Sequence, residues 1–263
     1  LAGTYIIPHA IIDVKRKGIM TKPVIFVYSI IRNEARYIDR YYDQLRAMVT
    51  ALPEYEFILS IYENDSSDGT PQLIKNKDWS FFTDFEITSE RLRTRDYGSV
   101  KLAQRVKNLS IARNKALAVK DFMKRADYVM MVESDMRFDV GTVKQILEFR
   151  KLEPDFDIVS GLTVNNHPVY DSWATRKSAE FTSHVEVRKY DFTSKPYDRY
   201  YATSNGICLY KAQAFRDGAK YGWMNEVTKE FDCDTVVVCQ NFQKLGYDKI
   251  YILHTAKIYH EDF

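Results

Sequence analysis

Two acids one residue apart, Glu133 and Asp135 in Val132-Glu-Ser-Asp-Met136, carry the clearest chemistry in the sequence. They follow Tyr128-Val-Met-Met-Val132, a short apolar run rich in strand-favouring side chains, which reads as a buried strand. Positions i and i+2 of a strand share a face, so the carboxylates point together if the strand continues. The carboxyl end of a parallel strand is where open α/β sheets bind ligands. Paired carboxylates there suit a hard divalent cation, Mg²⁺ or Mn²⁺, that also holds substrate phosphates. Taken alone, such a motif reads more readily as a solvated loop with two acids, so its company decides.

The elements that would position these acids alternate along the chain. Val24-Ile-Phe-Val-Tyr-Ser-Ile-Ile31 is a buried-strand run, followed by Arg32-Asn33-Glu34 and an amphipathic helix over 35–51. Phe57 to Tyr62 is a second strand. It runs into Glu63-Asn-Asp-Ser-Ser-Asp-Gly-Thr70, after which Pro71 opens a helix reaching Asn76. Phe85 to Thr88 reads as a weaker third strand. Residues 91–107 are strongly basic, a solvated face or an attractor for phosphate. A helix over 110–125 leads to the strand ending at the acids. A helix over 140–151 and a strand over 157–163 follow. Strand–loop–helix alternation predicts an α/β fold with a mostly parallel central sheet and flanking helices, in one domain over 23–263. Residues 1–22 fit no pattern and read as an N-terminal appendage.

Between Asn165 and Tyr201 the chain turns to Asn, His, Tyr, Trp, Ser and Lys without periodicity, as functional or mobile segments do. Regular structure returns with a strand over 206–210 and a helix start near Lys211. A helix over 235–245 stops at Gly246, with Asp234 as a candidate cap. Two short strand-like runs, 249–253 and 256–262, close the chain.

At 263 residues, 45% of them hydrophobic, the chain is long enough to bury one large core. A net charge of +2 gives no reason to expect nucleic acid as a partner. The 19 tyrosines suit packing against flat hydroxylated ligands such as sugars, as well as ordinary core packing. Three cysteines, Cys208, Cys233 and Cys239, are odd in number and lack metal-site spacing, which favours a reducing compartment over a disulfide framework. No apolar run reaches membrane-spanning length and no signal peptide is visible. The chain begins at Leu1, which leaves room for an upstream membrane anchor. The expected location is the cytoplasm, with membrane association, or the secretory-pathway lumen where an anchor has been removed.

The order of these motifs resembles the nucleotide-sugar glycosyltransferases with the GT-A fold, especially the family-two-like group. The matching residues are Asn33-Glu34, the Glu63–Thr70 loop, Ala112-Arg-Asn114, Glu133-Ser-Asp135, Phe231-Asp-Cys-Asp234 with Gly246-Tyr247, and His260. Val169-Tyr-Asp-Ser-Trp-Ala-Thr-Arg176, with Arg113–Leu117 and Ser204-Asn-Gly206, is closer still to the capsule-associated mannosyltransferases of the CAP59 type. The first resemblance admits inversion at the anomeric carbon, whereas the second implies α-mannosyl transfer from GDP-mannose with retention. This chain departs from the pattern at Glu133, where Asp is usual, at Glu63 and Asn64, and at Phe231, where an acid is usual.

The resemblance implies a metal-dependent transferase moving a hexose, mannose favoured, from GDP-mannose or a UDP-sugar to a glycan or other hydroxyl acceptor. It implies a nucleotide-binding half over 23–135 and an acceptor-binding half over 136–263. It implies that Glu133, Asp135 and His260 hold Mn²⁺ or Mg²⁺. Ser29, Arg32, Glu34, Glu63, Asp65, Arg113 and Ser134 face the donor, with Glu63 on the nucleobase and Arg113 near the diphosphate. Trp173, Asn205 and Gly206 face the acceptor. Asp232, with Asp234, is the catalytic candidate, as base if the reaction inverts and as acceptor-positioning group if it retains. The competing classes are a metal-dependent sugar nucleotidyltransferase and a non-catalytic carbohydrate-binding domain. The first is disfavoured because no glycine-rich phosphate loop follows the first strand. The second leaves the acids at strand ends unexplained.

Overall fold

The computed structural model describes residues 22–260. The appendage expected over 1–22, Lys22 apart, and Glu261 and Asp262 lie outside the described residues. In chain order the elements are β1 (Val24–Ile31), α1 (Ile38–Ala51), β2 (Glu56–Asn64), α2 (Thr70–Lys75), β3 (Asp84–Glu90), α3 (Ala103–Leu117), α4 (Phe122–Arg125), β4 (Tyr128–Val132), β5 (Met136–Arg137), α5 (Val140–Glu148), β6 (Ile158–Val164), α6 (His184–Arg188), β7 (Tyr197–Arg199), β8 (Ile207–Lys211), α7 (Ala212–Arg216), α8 (Asp234–Lys244) and β9 (Ile250–His260).

One sheet runs β3-β2-β1-β4-β8-β6-β9-β5, with β7 also on β9. β1 to β4 are parallel to one another, β8 runs against β4 and β6, and β6 is parallel to β9. Both faces are covered, which is why the parallel strands are apolar throughout instead of alternating. Ile25 and Val27 point to the face packed by Leu45 and Met48 of α1 and Ile146 of α5. Phe26 and Tyr28, one residue out of phase, point to the face packed by Ala112 and Ala116 of α3 and Phe242 of α8. Each Val, Leu, Ile, Met or Phe among these, fully withdrawn from water, stabilises the fold by about 1.5–3 kcal/mol.

Two expectations change in detail. The helix expected over 110–125 begins at Ala103, inside the basic run, where Val106 is buried, and stops at Leu117, with Phe122–Arg125 a separate turn. The two closing runs are a single strand, β9. Its register against β6 shifts between Ser160 and Leu162, where a Cβ on Gly161 would stand 2.7 Å from the Ala256 carbonyl oxygen. The irregular 165–201 segment holds only α6 and β7, and its Val187, Phe192 and Tyr200 form a small cluster with Leu162 of β6 and Ile252 of β9. All three cysteines are buried and free. Among the described residues no helix is long and apolar enough to cross a membrane.

Candidate functional site

The strand β4 does not continue through its acids. It ends at Val132, the chain turns over 133–135, and β5 pairs with the end of β9, Met136 opposite His260. That pairing brings His260 to Asp135, Nε2 to Oδ2 at 3.4 Å. Helix α1 clamps the turn: Arg40 Nη2 donates to the Asp135 carbonyl at 3.1 Å, and Gln44 Nε2 to the Met136 carbonyl at 3.0 Å. The Tyr170 ring stacks on the His260 imidazole, centroids 3.8 Å apart and planes within 11°. The other histidine of β9, His254, lies away from the acids between Tyr200 and the Lys195 carbonyl.

Because the turn breaks the strand, Glu133 and Asp135 diverge. Glu133 takes a hydrogen bond from Arg113 Nη2 at 3.0 Å, and Arg113 Nε donates to Asp234 at 2.6 Å. The buried guanidinium thus links the acid turn to the start of α8. Ser134, buried between the two acids, lines the same cleft. Burial raises the Glu133 carboxyl to about 7, with Arg113 pulling down and Asp135 pushing up. Burial, and then Asp135, raises Glu34 to about 8, and its Oε2 is buried without a hydrogen-bond partner.

These side chains line a cleft of about 740 Å³ that also takes in Arg32, Asp171 and Trp173. Arg32 reaches across to the Thr94 carbonyl at 2.7 Å. A neighbouring recess of about 690 Å³ is lined by Glu63, Asp65, Arg93 and Arg95. Glu63 accepts from Ser66 N at 2.9 Å and from the Ser89 hydroxyl. Asp65 accepts from Arg93 N and Thr94 N, both at 2.9 Å, which ties the loops after β2 and β3 together. Burial works against its charge, but the bonds from Thr94 and Arg93 hold its carboxyl well below the usual carboxylate range.

Three expected residues are placed differently. Ser29, expected beside the nucleotide, is buried, its hydroxyl between the Tyr41 hydroxyl and the Val132 carbonyl. Strand alternation explains this, since Ser29 shares the Ile25 and Val27 face. Asn205 and Gly206, expected on the acceptor, are also buried. Both have positive φ, 48° and 70°, and they brace the acid turn from beneath: Glu133 N donates to the Gly206 carbonyl at 2.9 Å. A side chain on Gly206 would meet Met136 Cγ at 2.8 Å, so the position takes only glycine.

Asp232 lies in a buried ion pair with Arg176, whose Nε donates to the Trp173 carbonyl. Its Oδ2 accepts from Arg176 Nη1 at 2.7 Å and Asn225 Nδ2 at 2.8 Å, and its Oδ1 from Arg176 Nη2 and from Cys233 N at 2.7 Å. Trp173, half-buried, carries the Lys101 ammonium 4.8 Å from its ring centre, and the same ammonium lies 4.4 Å from the Phe181 ring.

Sequence reasoning passed over Asp171, Tyr170 and Ser204. All three line the cleft, and all three lie in stretches that resemble the capsule-associated enzymes, which was the available signal. Ser204, 1% exposed, has a buried hydroxyl with no hydrogen-bond partner.

The family described as Cryptococcal mannosyltransferase 1 matches residues 24–236. Among curated proteins none matches. Among solved structures, S. aureus TarS in complex with UDP-GlcNAc is 15% identical with a TM-score of 0.53, covering 91% of this chain and 58% of that one. The mannosyltransferase PcManGT from Pyrobaculum calidifontis, in complex with GDP-Man and Mn²⁺, is 15% identical with a TM-score of 0.53, covering 88% of this chain and 57% of that one. Glucosyl-3-phosphoglycerate synthase from Mycobacterium tuberculosis, in complex with Mn²⁺, UDP and glucosyl-3-phosphoglycerate, is 13% identical with a TM-score of 0.51, covering 92% and 73%. This chain spans less than two thirds of the first two. The likeness establishes the fold as GT-A.

Proposed function

The chain belongs to the glycosyltransferase family described as Cryptococcal mannosyltransferase 1, and from that premise we propose that it moves a hexosyl group, mannosyl favoured, from a nucleoside-diphosphate sugar to a hydroxyl of a glycan. The observation that carries this reading is the meeting of Asp135 and His260 at the rim of a cleft that also holds Glu34 and Glu133. The residues fit a divalent cation. Glu34 and Glu133 are both pushed up by burial and by Asp135, a local excess of negative potential that a dication relieves. Among the described residues no three ligating side chains are already gathered, so Asp135 and His260 would hold the ion together with oxygens of the donor and water. When bound, Mn²⁺ or Mg²⁺ neutralises the charge that develops on the departing diphosphate.

The chain's own groups supply the rest. Arg113, fixed by Glu133 and Asp234, brings a buried positive charge to the acid turn, where the diphosphate would lie. The recess bearing Glu63 and Asp65 is the nucleoside side, with Arg32, Arg93 and Arg95 at its border. Residues 23–135 supply the nucleotide-binding half and 136–263 the acceptor half, with His260 crossing from the second to the first. The bound ligands of TarS and PcManGT, UDP-GlcNAc and GDP-Man with Mn²⁺, are the donor classes to try first.

Thermal unfolding with GDP or UDP, each with and without Mn²⁺, tests the reading, followed by GDP or UDP release from GDP-mannose, UDP-glucose and UDP-GlcNAc. Metal-dependent stabilisation by one nucleotide and cleavage of its mannosyl or glucosyl donor are expected. Indifference to both nucleotides would leave a sugar-binding domain as the better account.

A further inference from the structure

The basic run over 91–107 is not used up by the nucleotide recess. Arg93 and Arg95 border that recess, but Lys101 and Arg105 line the main cleft. Trp173 lines it with them, and so do His184 and Arg188 from the two ends of α6. Contacts hold these groups together. The Lys101 ammonium lies 4.8 Å from the Trp173 ring centre and 4.4 Å from that of Phe181. Phe181 meets the His184 ring edge-on at 5.0 Å, and His184 Nδ1 lies 2.7 Å from the Ser172 hydroxyl. His184 and Arg188, four apart on one helix, share a face. Burial first, and then the Lys101 and Arg188 charges, hold the His184 imidazole below its usual range, so both cations bear on one ring.

These cations differ from the others of the cleft in having no counter-ion. Arg113 is engaged by Glu133 and Asp234, and Arg176 by Asp232. Among the described residues no acid pairs with Lys101 or Arg188, and Arg188 Nε is buried with no hydrogen-bond partner. Arg105 Nε donates to the Gly98 carbonyl at 2.6 Å and likewise pairs with no described acid. Of the acids that bear on Lys101, Asp232 is filled by Arg176, and Asp171 offsets a single charge. Like charges gathered in a cleft raise the energy of its empty state, and an anion lowers it. The donor diphosphate already has Arg113 and the ion that Asp135 and His260 would hold. The unpaired cations stand instead beside Trp173, where a second sugar ring would pack.

We propose that Lys101 and Arg188 form an anion subsite beside Trp173, and that the acceptor is an acidic sugar bearing a carboxylate or a phosphate ester. This deepens the glycosyl-transfer reading and rests on it. The Trp173 face takes the acceptor ring, and the ammonium and guanidinium donate charge-assisted hydrogen bonds to its anionic group. The subsite selects and orients the acceptor and exchanges no proton with it.

Calorimetric titration of mannose, mannose 6-phosphate and glucuronate into the whole chain, with and without GDP and Mn²⁺, reads the subsite directly. At least one anionic sugar should bind about 10–100-fold more tightly than mannose, the scale of one hydrogen bond to a charged group. Tighter binding of mannose 6-phosphate marks a phosphorylated acceptor, and tighter binding of glucuronate marks a uronic acid. Lys101→Met and Arg188→Gln should each remove most of that preference while leaving GDP affinity in Mn²⁺ unchanged. Lys101→Arg, which keeps the charge, should retain it. Anions that bind no more tightly than mannose, undetectable binding included, would overturn the proposal. So would a preference that survives both substitutions, or a parallel loss of GDP affinity, which moves these cations to the donor. Failure of the glycosyl-transfer reading shows separately, as wild-type protein that neither binds GDP with Mn²⁺ nor cleaves GDP-mannose, and titration of the free chain still decides the subsite.

Discussion

The cleft and the Asp232–Arg176 support beside Trp173 use the same kinds of side chain to opposite ends. In the support, Asp232 meets Arg176, and both are almost wholly withdrawn from water with every carboxylate lone pair filled. At the rim, among the described residues, the Asp135 carboxylate meets an imidazole at 3.4 Å, and Glu34 keeps an oxygen with no hydrogen-bond partner. Saturated acids hold chain segments in place, here the 172–181 loop against the start of α8. Unsaturated acids store unfavourable potential that a ligand can relieve. What a carboxylate does in this molecule follows from how many of its lone pairs the fold has already taken, more than from where it stands in a motif.

The largest expected effect breaks the rim. Asp135→Ala should reduce transfer by at least about 10²–10³-fold, the scale of losing one transition-state partner, with the thermal transition unchanged. Full activity, or Mn²⁺-dependent GDP binding that survives, would remove Asp135 from the metal. The next effect breaks the support. Arg176→Met leaves the Asp232 charge buried alone and should cost about 3–5 kcal/mol in urea unfolding. Adding Asp232→Leu should return much of it, and a single variant as stable as wild type would erase the contrast between the two regions.

Smaller effects sharpen it. Tyr170→Leu removes the ring stacked on His260, a contact worth about 0.5–1.5 kcal/mol. Mn²⁺ affinity, titrated calorimetrically with GDP present, should fall up to about tenfold, and Tyr170→Phe should restore it. Smallest is a pH effect. The Glu34 carboxyl stands at about 8 in the folded chain against an ordinary 4.5, by burial first and Asp135 second. Between these values the native state holds a proton that the unfolded chain has released, so stability falls as pH rises through that window. In metal-free protein Glu34→Gln should raise Tm at pH 8 and leave it unchanged at pH 4. An unchanged Tm at both would mean the carboxyl is relaxed by water.

The parallel half was legible because burial on both faces leaves unbroken apolar runs: β1 and β4 begin and end at the residues where those runs do. The acid turn was legible because its charges stop such a run abruptly. Pairing was not. Nothing near Asp232 announces Arg176, which lies in the aperiodic segment, and the apparent motif around Asp232 hides a buried brace. Ser29 looked ligand-facing at a strand's end, yet alternation turns it to α1. Asn205 and Gly206 matter through positive φ, which a sequence shows only as a residue type that permits it. Asp171 carries no strand, cap or charge run to mark it.

The pairing of β5 with the end of β9 also sets a timetable. During synthesis the acid turn leaves the ribosome far ahead of His260, and β1 to β4 can assemble before β9 exists. Until β9 zips along β6 and lays its last residue on Asp135, the nascent fold carries the acid turn without the imidazole that, on the proposed reading, would complete the ion's seat. On that reading competence waits for the complete sheet, and a half-made chain would have little means to squander activated sugar on water.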